Sequence, residues 1–252
     1  MLYLIGLGLF DEKDISLKGL EVLKKSDKIY AEFYTNPSHA SLKNLESLAG
    51  KKIKVLTRKD IEEHPEENVL KDAKEKTISL LVSGDPMVAT THIDLVLRAR
   101  KKGIEVKIIH SSSVYSAVAE TGLQIYKFGR TTSLVYPEKN YFPESPYDAI
   151  AENKKAGLHT LCLLDVKAVE QKYMTVNEAI SLLLQIESKR KQKVFTEETF
   201  CIGVARLGED SVIKAGKAKS LLKIAFGKPP QILVIPGKMH YMEEEALKTF
   251  SD

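Results

Sequence analysis

The sequence predicts an α/β protein of two α/β domains with a ligand cleft between them. The first domain, residues 1–114, reads as a mainly parallel sheet covered by helices, and the second, residues 115–252, as an α/β unit with mixed strand directions. Three observations carry this reading. Short apolar runs alternate with helical stretches through the first half, the pattern of a parallel sheet with both faces covered. Three of those runs stop at small or polar residues: Gly6-Leu7-Gly8-Leu9-Phe10, Gly84-Asp85-Pro86 and His110-Ser111-Ser112-Ser113. After Gly122 the chain changes character, and aromatic residues and prolines gather in "IYKFGRTTSLVYPEKNYFPESPYDAI". A length of 252 residues suits two domains of ordinary size.

The elements follow in order. Leu2–Leu7 is a strand, and Ser16 opens a helix that buries Leu17, Leu20 and Leu23. Lys28–Phe33 is a second strand. Lys52–Leu56 alternates apolar and polar residues, and an acidic helical stretch follows to about Lys74. Thr77–Val82 is a buried strand. Thr90–Lys102 is a helix, with Gly103 placed for its left-handed terminus, and Glu105–Ile109 is another strand. In the second half Thr132–Tyr136 and Thr160–Leu164 read as strands flanking a helix over Pro146–Lys155. Thr175 and Glu178 form a capping box for a helix whose Ile180, Leu183, Leu184 and Ile186 belong to the core. Strands at Thr199–Ala205 and Gln231–Ile235 and a closing helix over Tyr241–Phe250 complete the chain.

Composition narrows the function. A hydrophobic content of 43% is too high for a disordered chain. The net charge of +4 is diffuse, and the Lys-rich patches fall at helix ends or loops, as a solvated face or as cations that complement the helix dipole. They are not interleaved with aromatics, so a nucleic-acid surface is not indicated. Cys162 and Cys201 sit inside apolar strands and read as buried thiols, and the six histidines show no metal-ligand spacing. No apolar run approaches the ~20 residues of a membrane span, and the expectation is a soluble, cytoplasmic protein with no membrane partner. Gly-x-Ser-x-Gly and the phosphate-binding Gly-rich loop are absent. The dinucleotide fingerprint needs a Gly three positions after Gly8, where this chain has Asp11. Each strand-end signal has a plain alternative: Gly-x-Gly a tight turn, Gly-Asp-Pro a turn, the serines a helix cap, His92 a structural histidine. Their arrival together at three strand ends points to a ligand crevice, which in open α/β sheets lies beyond the carboxyl ends of the strands. Backbone-rich walls without covalent or metal machinery suit a cofactor that carries its own reactivity.

The opening "YLIGLGLFDEKDISLKGLEVLKKSD" resembles the tetrapyrrole-methylase superfamily of S-adenosylmethionine-dependent methyltransferases, which share the Gly-rich strand end, the Asp-containing loop and a strand ending in Gly-Asp-Pro. Within it, "AEFYT", "GDPMVATTH", "YSAVAETGLQIYKFG", "YMTVNEA" and "PPQILVIPGKMH" are similar to the diphthine synthase family, archaeal type, from end to end. The resemblance implies methylation, with S-adenosyl-L-methionine as cofactor and S-adenosyl-L-homocysteine as product. The acceptor it implies is the amino group of a 3-carboxy-3-aminopropyl chain on one histidine of elongation factor 2, a step in diphthamide biosynthesis. It further implies a homodimer, with the cofactor between the two domains. Carried over by position, the cofactor contacts are Leu9, Asp85, Val88, Ser113 and Val114 from the first domain and Leu164, Leu207 and Gln231 from the second. The family often has His where this chain has Gln231. Asp85 is expected to accept hydrogen bonds from the cofactor, and no residue is singled out as the base that frees the acceptor amine. Pro137–Pro146 and the loop after Asp165 are candidates for a rim meeting the protein acceptor, with Lys167 or Lys238 near its carboxylate. A methyltransferase acting on a tetrapyrrole such as a precorrin and a non-catalytic cofactor sensor are the competing readings.

Overall fold

The structure is a computed structural model that describes residues 1–36 and 39–251. The chain divides into two compact units, Met1–Ser116 and Ala117–Asp252.

The first unit is a five-stranded sheet whose paired strands run parallel. Its strands are β1 (Leu2–Gly6), β2 (Lys28–Glu32), β3 (Ile53–Val55), β4 (Ile78–Val82) and β5 (Val106–Ile109), in the order β3-β2-β4-β1-β5. All five β4 residues are buried, as a strand covered on both faces requires. The helices are α1 (Leu17–Lys25), α2 (Leu42–Ala49), α3 (Val69–Ala73), α4 (His92–Lys101) and α5 (Val114–Ala117). Ser16 caps α1 through its hydroxyl, which accepts from the Gly19 N–H. The buried face of α1 is Gly19 and Leu23, one turn apart. Leu17 lies off that face and is 81% exposed, so its expected burial is corrected, while Leu20 is half-buried. The acidic stretch before β4 is not one helix. It breaks into a π-turn at Lys59–Glu63, a 3₁₀ turn at Pro65–Glu67 and α3, because Pro65 has no N–H to continue a ladder. Gly103 takes a φ of 71° just past α4. Helix α2, capped by Ser41 and ended by Gly50 in the left-handed region, has no counterpart in the sequence reading.

The second unit holds a mixed sheet of β6 (Thr132–Leu134), β7 (Thr160–Leu164), β10 (Phe200–Ala205), β11 (Val212–Lys217) and β12 (Gln231–Ile235), ordered β11-β10-β12-β7-β6, together with a small hairpin of β8 (Val166–Lys167) and β9 (Lys172–Tyr173). Among these strands β6 and β7 pair in parallel and the other pairings are antiparallel. Helices α6 (Ser145–Lys155), α7 (Val176–Arg190), α8 (Ala218–Leu221) and α9 (Tyr241–Lys248) complete it. The capping box of Thr175 and Glu178 is present. Ile180, Leu183 and Ile186 are fully buried, with Leu184 packed against them. Strand β11 was not expected. Both thiols are buried and free. Burial pushes the Cys201 thiol up to about 12 and that of Cys162 higher still, so neither is a nucleophile.

Candidate active site

The strand order puts β1 between β4 and β5, so the three strand ends picked out in the sequence are neighbours. Past the strands the backbone continues to pair. Leu7 N–H donates to Val82 O at 2.8 Å, Gly84 N–H to Gly8 O at 2.8 Å, and Gly8 N–H to Gly84 O at 3.2 Å. Gly6 is required by this closeness. A Cβ there would stand 2.5 Å from Gly84 O and 2.7 Å from the Ser111 Cβ, far inside contact distance. Gly84 is the converse. It takes a φ of 73°, and the space its Cβ would occupy is open.

Asp85 ties two of these ends together. Its carboxylate, 5% exposed, accepts at Oδ1 from Met87 N–H at 2.9 Å and at Oδ2 from Ser111 N–H at 3.1 Å, and His110 Nδ1 lies 2.9 Å from the same Oδ2. A carboxylate offers about four acceptor sites, so one remains for a ligand. The residue that the sequence offered as a ligand contact is therefore also the clamp between the β4 and β5 loops. Val88 closes the turn by donating its N–H to Asp85 O at 3.2 Å. Ser113 is buried, and its carbonyl accepts from the Ser116 hydroxyl within α5, whose first residue, Val114, is half-buried. Leu9 is half-buried just beyond the Gly8 bridge. Asp14, which the sequence reading passed over, holds that loop by accepting from Phe10 N–H at 2.7 Å, and its carbonyl accepts from the Ser111 hydroxyl at 3.4 Å.

Within the second unit the other three expected contacts also share one sheet end. Leu164 ends β7, Gln231 begins the antiparallel β12, and Leu207 follows β10, whose Ala205 pairs with Gln231. All three are buried. The Gln231 side chain is used by the fold itself: Oε1 accepts from Val176 N–H at 2.9 Å at the head of α7, and Nε2 donates to Gly227 O at 2.8 Å. Lys167 donates to Glu138 at 3.0 Å, which joins the Pro137–Pro146 segment to the loop after Asp165.

A second polar group lies at the ends of β2 and β4. Glu32 and His92 are both enclosed, with Glu32 Oε1 and His92 Nε2 3.7 Å apart. Glu32 Oε2 accepts from the N–H groups of Tyr34 and Thr35, and His92 Nδ1 lies 3.2 Å from Pro86 O. Burial raises the Glu32 carboxyl and lowers the His92 imidazole. His92 stands between "AEFYT" and the Gly-Asp-Pro turn, bonded to the turn through Nδ1, while its buried Nε2 faces Glu32 beyond hydrogen-bond distance. Among the described residues no group of three or more His, Cys, Asp and Glu could hold a metal ion, and no helix is long and apolar enough to cross a membrane.

A parallel sheet with a glycine-lined crevice at its carboxyl end, followed by a mixed-sheet unit, defines a class, and comparison with known proteins agrees. The profile of the tetrapyrrole (corrin/porphyrin) methylases matches residues 1–208, and the chain belongs to that family. Its relatives are more particular. The diphthine synthase of Methanocaldococcus jannaschii is 52% identical over 98% of each chain, and that of Methanococcus maripaludis is 52% identical over the same shares. A crystal structure of a diphthine synthase superposes with a TM-score of 0.90 at 37% identity, covering 100% of this chain and 96% of the other. Within the methylases the chain belongs to the diphthine synthases. It is a methyltransferase of diphthamide biosynthesis, and the tetrapyrrole and sensor readings fall away.

Proposed function

We propose that the protein transfers methyl groups from S-adenosyl-L-methionine to the amino group of the 3-carboxy-3-aminopropyl chain on the modified histidine of elongation factor 2. The observation that carries this is the side-by-side placement of the β4, β1 and β5 ends, with an open position at Gly84 and a clamped carboxylate at Asp85, in a chain 52% identical to a diphthine synthase. The crevice fits the donor. Gly84 leaves room for a ligand against the backbone, and Asp85 retains an acceptor site for an N–H or O–H group. Leu9, Asp85, Val88, Ser113 and Val114, with Leu164, Leu207 and Gln231, are the contacts we assign to it. The first unit is then the principal cofactor-binding domain, and the second supplies the remaining contacts. When bound, the sulfonium supplies an activated methyl group. The protein's own part is to hold amine and methyl in line and to exclude water, worth roughly 7–11 kcal/mol in favourable cases. The segment Pro137–Pro146 and the loop after Asp165, joined through Glu138 and Lys167, are the surface we assign to the protein acceptor, because loops on a rigid scaffold carry such contacts. Lys238, exposed on the loop after β12, is a further cation for the acceptor's carboxylate.

The working form we propose is a cytoplasmic homodimer, the commonest symmetric assembly. Tyr126, Tyr241 and Met242 are exposed apolar side chains available to it. Light scattering at micromolar concentration should exceed the 28.2 kDa of one chain. For the activity, the protein is incubated with labelled S-adenosylmethionine and with elongation factor 2 that does or does not carry the aminocarboxypropyl chain. Mass spectrometry should find added methyl groups on the modified histidine alone. Equal methylation of both forms, or none, overturns the proposal.

A further inference from the structure

The His110 side chain is 70% exposed at the carboxyl end of β5, yet its Nδ1 lies 2.9 Å from Oδ2 of Asp85, which is 5% exposed. An exposed imidazole ordinarily rotates freely; this one is paired with a carboxylate that two backbone N–H groups, of Ser111 and Met87, already hold in place. A fixed carboxylate accepts from Nδ1–H, which selects that tautomer and leaves the Nε2 lone pair facing outward. A base oriented by a third group is the general construction of an activated proton acceptor. The carboxylates of the neighbouring loops have partners of their own. Asp85 accepts at both oxygens and keeps one site for the cofactor. Asp14 accepts from Phe10 N–H, Asp11 from Lys13 N–H, and Glu12 from Ser41 N–H and Asn44. Glu32 and His92, one strand over, are enclosed.

We propose that His110 is the general base of the methyl transfer and that Asp85 is its positioning residue. This rests on the methyl-transfer reading above. An α-amino group holds its extra proton up to about pH 8, and the ammonium has no lone pair with which to attack. Nε2 takes one N–H proton, and the freed pair on nitrogen forms the new N–CH₃ bond as the S–CH₃ bond breaks. That bonding pair returns to sulfur, which leaves as a neutral thioether. The methylated nitrogen carries the positive charge, and the proton on Nε2 passes to the solvent around the exposed ring. Imidazole is the side chain suited to this exchange near neutrality.

The test compares wild type with His110→Gln, His110→Ala and Asp85→Asn. Methyl transfer to the aminocarboxypropyl factor is measured between pH 6 and 9, S-adenosylhomocysteine binding by calorimetry, and the tautomer of His110 by ¹⁵N NMR of the free protein. His110→Gln should lose roughly 10²- to 10⁴-fold in kcat at neutral pH and recover as pH rises and solvent deprotonates the amine. Its affinity for S-adenosylhomocysteine should stay within about twofold. Added imidazole should restore part of the His110→Ala rate. The NMR signal should show the Nδ1–H tautomer in wild type and its loss in Asp85→Asn. A wild-type kcat and pH profile in His110→Gln, or an Nε2–H tautomer in wild type, would overturn the proposal. A wild-type protein that binds S-adenosylhomocysteine yet transfers no methyl group would overturn the reading on which it rests.

Discussion

Nε2 of His159 lies 2.9 Å from Oε1 of Glu243, and both side chains are wholly buried. Gly237 N–H donates to the other ring nitrogen, Nδ1, at 2.9 Å, so the imidazole is neutral and donates from Nε2. Glu243 also accepts from Lys127 Nζ, from Gln124 N–H at 2.9 Å and from His240 N–H at 2.7 Å. The motifs "GLQIYKFG" and "PPQILVIPGKMH" therefore meet on one carboxylate.

That meeting predicts acid sensitivity. Burial alone would raise the Glu243 carboxyl; the hydrogen bonds from Lys127, Gln124, His240 and His159 outweigh it and hold it at about 2, below its ordinary 4.5. A depressed carboxyl stabilises the fold above pH 4.5, and that contribution is lost as pH falls toward 2. His159 acts in the same direction. Burial lowers its pKa from 6.5, so below that pH the unfolded chain takes up a proton the folded one refuses. Thermal melts should show stability falling from about pH 6.5 downward, steeply below 4.5. Glu243→Gln should lose roughly 1.5–3 kcal/mol at neutral pH and show a flatter acid limb. A wild-type acid limb in that variant would count against this assignment.

Gly6→Ala should abolish the crevice without unfolding the second unit. The added methyl meets Gly84 O and the Ser111 Cβ at 2.5 and 2.7 Å, and backbone must move to admit it. Overpacking of this kind costs typically 1–3 kcal/mol. Calorimetry should find no S-adenosylhomocysteine binding, while hydrogen exchange in β7, β10 and β12 stays at the wild-type level.

Glu32→Gln and Glu32→Ala should separate widely. Two backbone N–H groups bond to Oε2, and a Gln carbonyl accepts both; its NH₂ then takes the place of Oε1, 3.7 Å from His92 Nε2. Denaturant melts should place Glu32→Gln within about 1 kcal/mol of wild type. Glu32→Ala, with two partly buried donors unpaired, should lose roughly 2–6 kcal/mol at about 1–3 per orphaned group. Equal losses would mean that the carboxylate is ionised and paired with a protonated His92.

Asp85→Asn should weaken S-adenosylhomocysteine binding by about 1.5–3 kcal/mol, the range for hydrogen bonds to charged groups. An amide NH₂ must face a donor at one of the two oxygen positions, Met87 N–H on one side or Ser111 N–H and His110 on the other. Wild-type affinity in a folded variant would remove Asp85 from the binding machinery.

The sequence carried the periodic part of the fold well. Buried β4 and the capping box of α7 stand where their patterns put them, because each signal is local. Leu17 misled because helical spacing marks a face only when the partner surface is known. Strand β11, "VIKAGK", alternates too weakly to separate from a loop, and α2, "LKNLESLA", is eight residues long, too short for its leucines three apart to stand out as a helical period. At the site, the small residues at the ends of β1, β4 and β5 were visible, but the Asp85–His110 pair joins positions 25 residues apart. Only the strand order brings them together, and no local pattern encodes it.

That strand order has a consequence for synthesis. Among the described residues, strand β1, Leu2–Gly6, pairs with Ile78–Val82 and Val106–Ile109, both more than 70 residues later in the chain. When the ribosome has released residues up to 75, the strand pairing available among the described residues is that of Lys28–Glu32 with Ile53–Val55. The central place, that of Ile78–Val82, is then empty, and the apolar Leu-Tyr-Leu-Ile segment that will pair beside it waits unpaired. Closing a span of this length is slow relative to local structure. The amino-terminal unit is therefore predicted to assemble in two stages on the growing chain, edge before centre. Nascent chains stalled before Ile109 should remain open to protease, and the crevice should become able to take a ligand only after that residue has emerged.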